Sequence, residues 1–171
     1  MSPEPLPDPR TAWPGPPLQR ARALRVSGVV GRGTDAFERA ADAIATWRMH
    51  DAAGVRVTDP SGGAPARAAA GVRVRVRLGP LPLGGTCRVV DAGRDGRAAW
   101  VVYATEPDHA EQGTERFAVL LDDDGDVRGD VAAWSQPRLW PLRVAGPAGR
   151  VGQRVIARRY LRALRRLSRP S

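Results

Sequence analysis

The sequence predicts an α+β fold: one antiparallel β-sheet wrapped on a long C-terminal helix, with another helix ahead of the sheet. Three observations predict it. Residues 71–137 hold five short apolar runs separated by turn signals. Residues 36–50 carry apolar side chains at helical spacing, and residues 150–168 divide into an apolar half and a cationic half.

In chain order, residues 1–17 contain seven of the 16 prolines, so they bury little and are expected to form a disordered or loosely extended tail. No PxxP run with flanking basic residues marks them as a recognition segment. Residues 18–30 (LQRARALRVSGVV) read as a first strand ending at Gly31-Arg32-Gly33. That Gly-x-Gly lacks the rest of a dinucleotide fingerprint and reads as a turn before a helix. Asp35 followed by Glu38 resembles a capping box. Phe37, Ala40, Ala41, Ile44 and Trp47 then recur at helical spacing, giving an amphipathic helix over about 36–50 that Gly54 ends. His50, near its C-terminus, is placed to favour the helix dipole, and this structural role is preferred to a catalytic one. Residues 58–70, rich in Gly, Pro and Ala, read as a flexible connector.

The sheet follows. Residues 71–78 (GVRVRVRL) alternate strictly, apolar side chains on one face and arginines on the other. Gly79-Pro80 stops this strand and Gly84-Gly85 marks the next turn. Residues 86–90 form a second strand, and Asp95-Gly96 supplies a tight-hairpin pair. Residues 98–105 (AAWVVYAT) are apolar on both faces, which predicts a central strand. A polar loop over 106–113 leads to a strand at 115–121, and Asp123-Asp124-Gly125 turns the chain into the last strand, closed by Pro137. Short loops between consecutive strands imply antiparallel pairing.

Residues 141–149 read as a turn-rich linker to the final helix. There Arg150, Arg154, Arg158, Arg159, Arg162, Arg165, Arg166 and Arg169 fall within one half-circle. Gln153, Ile156, Ala157, Tyr160, Ala163, Leu164 and Leu167 occupy the other. Leu161 borders the apolar half, while Val151 and Val155 lie on the charged one. Such a division buries one face on the sheet and exposes a dense cationic one.

The net charge of +9 is local, because residues 150–171 hold eight arginines and no acid. Every basic residue is Arg, and with abundant Ala and Gly this bias points to a GC-rich bacterial genome. One cysteine excludes an intrachain disulfide framework and fits a reducing cytoplasm. No apolar run reaches the roughly 18 residues a spanning helix needs, and no signal peptide is read at the start. The expectation is a cytoplasmic protein with one domain over 18–168, flanked by a tail at 1–17 and a short one at 169–171. The oligomeric state stays open.

No motif amounts to a catalytic or cofactor signature, so no catalytic residue, metal or cofactor is assigned. Tyr103 and Thr105 share one face of their strand, Glu115 and Phe117 one face of the next, and the intervening hairpin brings the two together. With His109 and Glu111 in the loop, several polar groups converge at the mouth of an apolar space. Trp47, Tyr160 and Leu164 complete the candidate ligand-binding set. The structural alternative pairs Glu115 with a neighbouring arginine and leaves the loop solvated. Asp108, His109 and Glu111 match no established metal spacing. Cys87 reads as a small buried hydrophobe, and Ser135 lacks a nucleophile-elbow context. Arg150, Arg154, Arg158, Arg162, Arg165 and Arg166 form a candidate basic surface for nucleic acid, acidic protein or anionic membrane, against a solvated face as the plainer reading.

The order strand, helix, antiparallel sheet, long C-terminal helix resembles the helix-grip architecture of the START and Bet v 1-like superfamily, with residues 29–44 (VVGRGTDAFERAADAI) similar to its opening. At sequence level the chain is similar to the domain-of-unknown-function family numbered nineteen-ninety, found in bacteria and plants. The likeness is carried by Gly31-Arg32-Gly33, Phe37-Glu38-Arg39-Ala40, Trp47-Arg48-Met49-His50 and Ala53-Gly54-Val55-Arg56-Val57. It continues through Cys87-Arg88-Val89-Val90, residues 103–117, Ser135-x-Pro137 and Arg159-Tyr160-Leu161-Arg162-Ala163-Leu164. Ala104, Glu106, Asp108 and Ala110 depart from the family's usual pattern. The resemblance implies a helix-grip fold with an apolar ligand cavity between sheet and last helix. Binding of a small apolar or amphipathic molecule is therefore preferred. Binding through the arginine helix and catalysis by Tyr103, His109 and Glu115 are the alternatives.

Overall fold

The computed structural model describes residues 6–79, 83–138 and 146–170. Seven strands form one antiparallel sheet: β1 (Arg22–Arg32), β2 (Val55–Thr58), β3 (Arg73–Leu78), β4 (Gly84–Arg94), β5 (Ala98–Thr105), β6 (Glu111–Leu121) and β7 (Asp126–Pro137), in the order β1-β7-β6-β5-β4-β3-β2. The helices are α1 (Thr34–Ala45), α2 (Arg48–Ala52) and α3 (Gly146–Leu167). The strand that is apolar on both faces, β5, does lie at the centre of the sheet. Register shifts at Val29/Gly31 in β1 and Val89/Asp91 in β4 mark bulges, which bend and twist a sheet. The stop at Pro80 and residues 141–145 of the expected linker fall outside the described residues, while residues 146–149, also read as linker, open the last helix.

The first helix begins differently from the sequence expectation. Gly33, with φ 82°, is the N-cap, and no side chain caps the helix, so Asp35 and Glu38 form no capping box. Instead the Gly33 N–H donates to the Gly125 carbonyl at 2.8 Å, tying the helix start to the β6–β7 turn, while Glu38 pairs with Arg94. Small residues at Ala36, Ala40, Ala41 and Ala43 let α1 lie close on β5 and β6, with Phe37 and Ile44 filling the contact.

The single helix expected over 36–50 is two. Trp47 adopts a left-handed conformation (φ 65°), which breaks the helix and is costly for a bulky residue. The break turns the indole inward, where Nε1 donates to the Ala66 carbonyl at 2.8 Å. That bond, with Ala68 N–H donating to the Ala45 carbonyl at 2.8 Å, docks a connector whose composition suggested flexibility. The connector also starts later than expected, since β2 precedes it and pairs antiparallel with β3.

The last helix divides as its sequence predicts. Ala157, Tyr160, Leu161, Ala163 and Leu164 are buried, and every arginine from Arg150 to Arg169 is exposed. It packs against β1, β7 and α2, so the core sits between the concave face of the sheet and the three helices.

On the opposite face of the sheet, Arg116 and Asp130 are both buried and form an ion pair at 2.5 Å, with Arg25 also on Asp130 at 2.6 Å. Residues 7–10 cover this pair: Arg116 Nη1 donates to the Pro7 carbonyl at 2.5 Å, and the Thr114 hydroxyl donates to the Pro9 carbonyl. Arg10 lies over the Trp134 ring at 5.2 Å. The proline-rich segment thus supplies carbonyl acceptors to buried donors, a role that proline composition does not reveal.

Candidate functional site

Between the first half of α3 and the concave face of the sheet lies a cavity of about 470 Å³. Leu24, Val55, Val76, Leu78 and Ile156 contribute apolar wall. Gly149, Gly152, Val155 and Arg159, all on α3, form the accessible rim. Six of the nine candidate ligand residues line it: Tyr103, Thr105, His109, Glu111, Glu115 and Tyr160. The other three do not. Phe117 and Leu164 are fully buried and Trp47 is 1 % exposed, all in the solid core beyond it.

Strand register builds the floor. Tyr103 on β5 is paired directly with Glu115 on β6, so both side chains project from the concave face. The Tyr103 hydroxyl donates to Glu115 Oε2 at 2.7 Å. Among the described residues Glu115 has no arginine partner, contrary to the structural alternative for it. Burial pushes its carboxyl up to about 7, opposed by the Tyr103 bond and reinforced by the charge of Glu111. Burial likewise raises the Tyr103 and Tyr160 phenols well above their ordinary value, so both stay un-ionised.

Four residues earlier on the same face of β6, Glu111 is fully engaged. The Ser135 hydroxyl donates to its Oε2 at 2.8 Å, and Gln153 Nε2 from α3 reaches both its oxygens at 2.9 and 3.0 Å. This Glu111–Gln153 contact pins the first half of α3 to the sheet. Neither Ser135 nor Gln153 belonged to the candidate set. Gln153 sits on the apolar half of the helix, and that misplaced polarity was the available signal.

His109 is carried by a loop folded over β4. The Glu106 N–H donates to Thr86 O at 2.8 Å, Ala110 N–H to Gly84 O at 3.0 Å, and the Thr86 hydroxyl to Asp108 Oδ2 at 2.8 Å. A Cβ on Gly85 would stand 2.4 Å from His109 Cα, so only glycine permits this approach. His109 Nδ1 lies 3.0 Å from the Glu111 amide nitrogen and 3.1 Å from the Glu111 carbonyl, and burial lowers its basicity. Thr105 spends its hydroxyl oxygen accepting the Gly113 N–H at 3.0 Å.

Behind the floor, His50 stands in a ring cluster, 4.7 Å from Phe117, 5.0 Å from Tyr160 and 5.3 Å from Trp47 between centroids. Burial drives its pKa down to about 3, and neither ring nitrogen has a partner among the described residues. The ring is therefore neutral, and the dipole role expected for a charged His50 does not apply. Cys87 is fully buried and its thiol is pushed up by burial, which makes it inert. Among the described residues no group of acids, histidines and cysteines is arranged to hold a metal.

On the outer side of α3, Arg159, Arg162, Arg165, Arg166 and Arg169 border a depression of about 540 Å³ beside Ala52–Gly54. Arg165 donates to the Val29 carbonyl at 2.8 Å and Arg166 to the Ala52 carbonyl at 2.5 Å. Among the described residues no arginine of this helix forms an ion pair.

A curved antiparallel sheet closed by a long C-terminal helix defines an α+β helix-grip protein of the Bet v 1-like kind, and solved structures bear the class out. The hypothetical protein jhp0584 from Helicobacter pylori is 10% identical, with 99% of each chain covered and a TM-score of 0.71. Ginseng major latex-like protein 151 from Panax ginseng is 11% identical over 88% of this chain and 99% of its own, at 0.54. A Thalictrum norcoclaurine synthase point mutant, in complex with a transition-state analogue, is 10% identical over 84% and 94%, at 0.50. At these identities the likeness is one of fold. The chain belongs to the family described as domain of unknown function (DUF1990), whose model matches residues 10–163. No curated protein matches it in sequence. No helix among the described residues is long and apolar enough to cross a membrane.

Proposed function

We propose that this protein binds a small amphipathic molecule in the cavity between the sheet and α3. The observation that carries the reading is a hydrogen-bonded Tyr103–Glu115 pair on the floor of an otherwise largely apolar space of about 470 Å³. Apolar walls with a few convergent polar groups are what ligand pockets consist of. The fold supports it, since Bet v 1-like proteins often hold apolar ligands. The buried, un-ionised Cys87 is compatible with a reducing cytoplasm, and residues 18–168 are the proposed domain, onto which residues 7–10 dock. The test is native mass spectrometry of the purified chain, with displacement of an apolar fluorescent probe. Ile156→Trp, which fills the cavity, should remove both the co-purifying mass and the probe signal without altering circular dichroism. Probe binding unaffected by that change would sink the reading.

A second reading rests on the arginine face of α3, whose cations lack acidic partners among the described residues. It would bind a polyanionic surface, nucleic acid or anionic membrane, by releasing counterions. Replacing Arg154, Arg158 and Arg162 by Gln should abolish salt-sensitive binding and leave the fold intact. No binding to DNA, RNA or anionic vesicles at low salt disposes of it.

A further inference from the structure

We propose that the cavity selects a ligand bearing a protonated amine, with its ammonium group on Glu115 and its apolar part along the opposite wall. The inference deepens the ligand-binding reading above and rests on it.

The first ground is an unused acceptor. Glu115 Oε2 takes the Tyr103 hydroxyl, while Oε1 accepts no hydrogen bond among the described residues. The side chain keeps accessible surface although protein surrounds it, and that surface is cavity wall. A carboxylate oxygen in such a place calls for a donor, and a charged donor also offsets the cost of the buried negative charge.

The second ground is the sign of the cavity. Glu111 and Glu115 both line it from one face of β6. Ser135 and Gln153 occupy Glu111, so that carboxylate supplies field more than a contact. The one cationic side chain on the described lining, Arg159, stands on the exposed rim and pairs with neither. An anionic head group would meet two carboxylates, and a neutral one would leave their charge uncompensated.

Burial also shifts the other titratable groups around the cavity floor. Tyr103 from β5, Tyr160 from α3 and Cys87 from β4 are all raised by burial, while His50 from α2 and His109 from the loop are lowered by it. With its carboxyl near 7, Glu115 gains charge between pH 6 and 8, and ammonium affinity should rise about tenfold over that interval.

The experiment is calorimetric titration of the full chain with decylammonium, decanol and decanoate at pH 6 and pH 8. The expected order at pH 8 is decylammonium tightest and decanoate weakest, with only decylammonium tightening as pH rises. Glu115→Gln should level the order and remove the pH dependence. Tyr103→Phe keeps the carboxylate and deletes its donor, so it should retain the preference and move the midpoint to higher pH. Equal binding of all three, or decanoate the tightest, overturns the selectivity and leaves the cavity reading standing. Binding of none overturns the cavity reading, and this inference with it. If Glu115→Gln does not fold, the probe order and pH profile of the unaltered chain and of Tyr103→Phe decide.

Discussion

The Tyr103 hydroxyl donates to Glu115 Oε2 at 2.7 Å from the directly opposed position on the neighbouring strand. The bond follows from sheet register, and one residue of slip in either strand would put the two groups on opposite faces. Even with it, the Glu115 carboxyl stands near 7, because burial outweighs the single donor.

That elevation makes stability depend on pH in a defined sense. The folded state holds the proton more tightly than the unfolded chain, whose carboxyl titrates near 4.5. The stabilising contribution is complete below 4.5 and is lost as pH rises through 7. Glu115→Gln should remove this loss, about 3 kcal/mol between the two plateaus. Urea unfolding of both proteins at pH 4.5 and pH 8 checks it, and parallel curves would contradict the assignment.

His50 acts in the opposite sense. Its folded pKa of about 3 lies below the ordinary 6.5, so its neutral form is the one the fold accepts. Stability is complete above 6.5 and falls as pH drops toward 3. Between 4.5 and 6.5 the two slopes oppose each other. His50→Phe, which keeps the ring-edge contacts, should cut acid destabilisation by about 3 kcal/mol at pH 4.5. Thermal melts from pH 4.5 to 7.5 would show it as a flatter acid limb.

Leu164 is completely buried and lies outside the cavity lining. Leu164→Ala should therefore cost about 2–5 kcal/mol, as core truncations do, without changing probe affinity. A small cost coupled to altered probe binding would place the void deeper along α3 than the structure has it.

Residues 7–10 supply acceptors to Arg116 and Thr114 and cover a buried ion pair. Deleting residues 1–13 should lower stability by about 1–3 kcal/mol, the cost of stranding a buried donor. A melting temperature unchanged by the deletion would restore the loose tail that composition suggests.

The periodicities were legible because burial on one face writes itself into one dimension. Alternation over 73–78 predicted a strand with the right face inward, the run apolar on both faces over 98–105 predicted a central strand, and the halves of α3 predicted which side is covered. The shared face of Tyr103 and Glu115 followed from the same parity. Other features left no such trace. Four residues are too few for a period, so β2 was not read as a strand. The left-handed Trp47 is invisible because the indole continues the helical spacing while its backbone does not.

What the sequence determined by itself is thus the direction of each side chain, inward or outward, and with it the α+β fold. The tertiary structure decided which inward residues meet protein and which meet empty space. Phe117 and Tyr103 both face inward from neighbouring strands, yet one is sealed in the core and the other floors the cavity. The reason is that periodicity records the sign of a side chain's direction, not the distance between opposed surfaces. That distance depends on sheet curvature, on the Gln153–Glu111 contact and on the helix break at Trp47, each of which joins residues far apart in the chain.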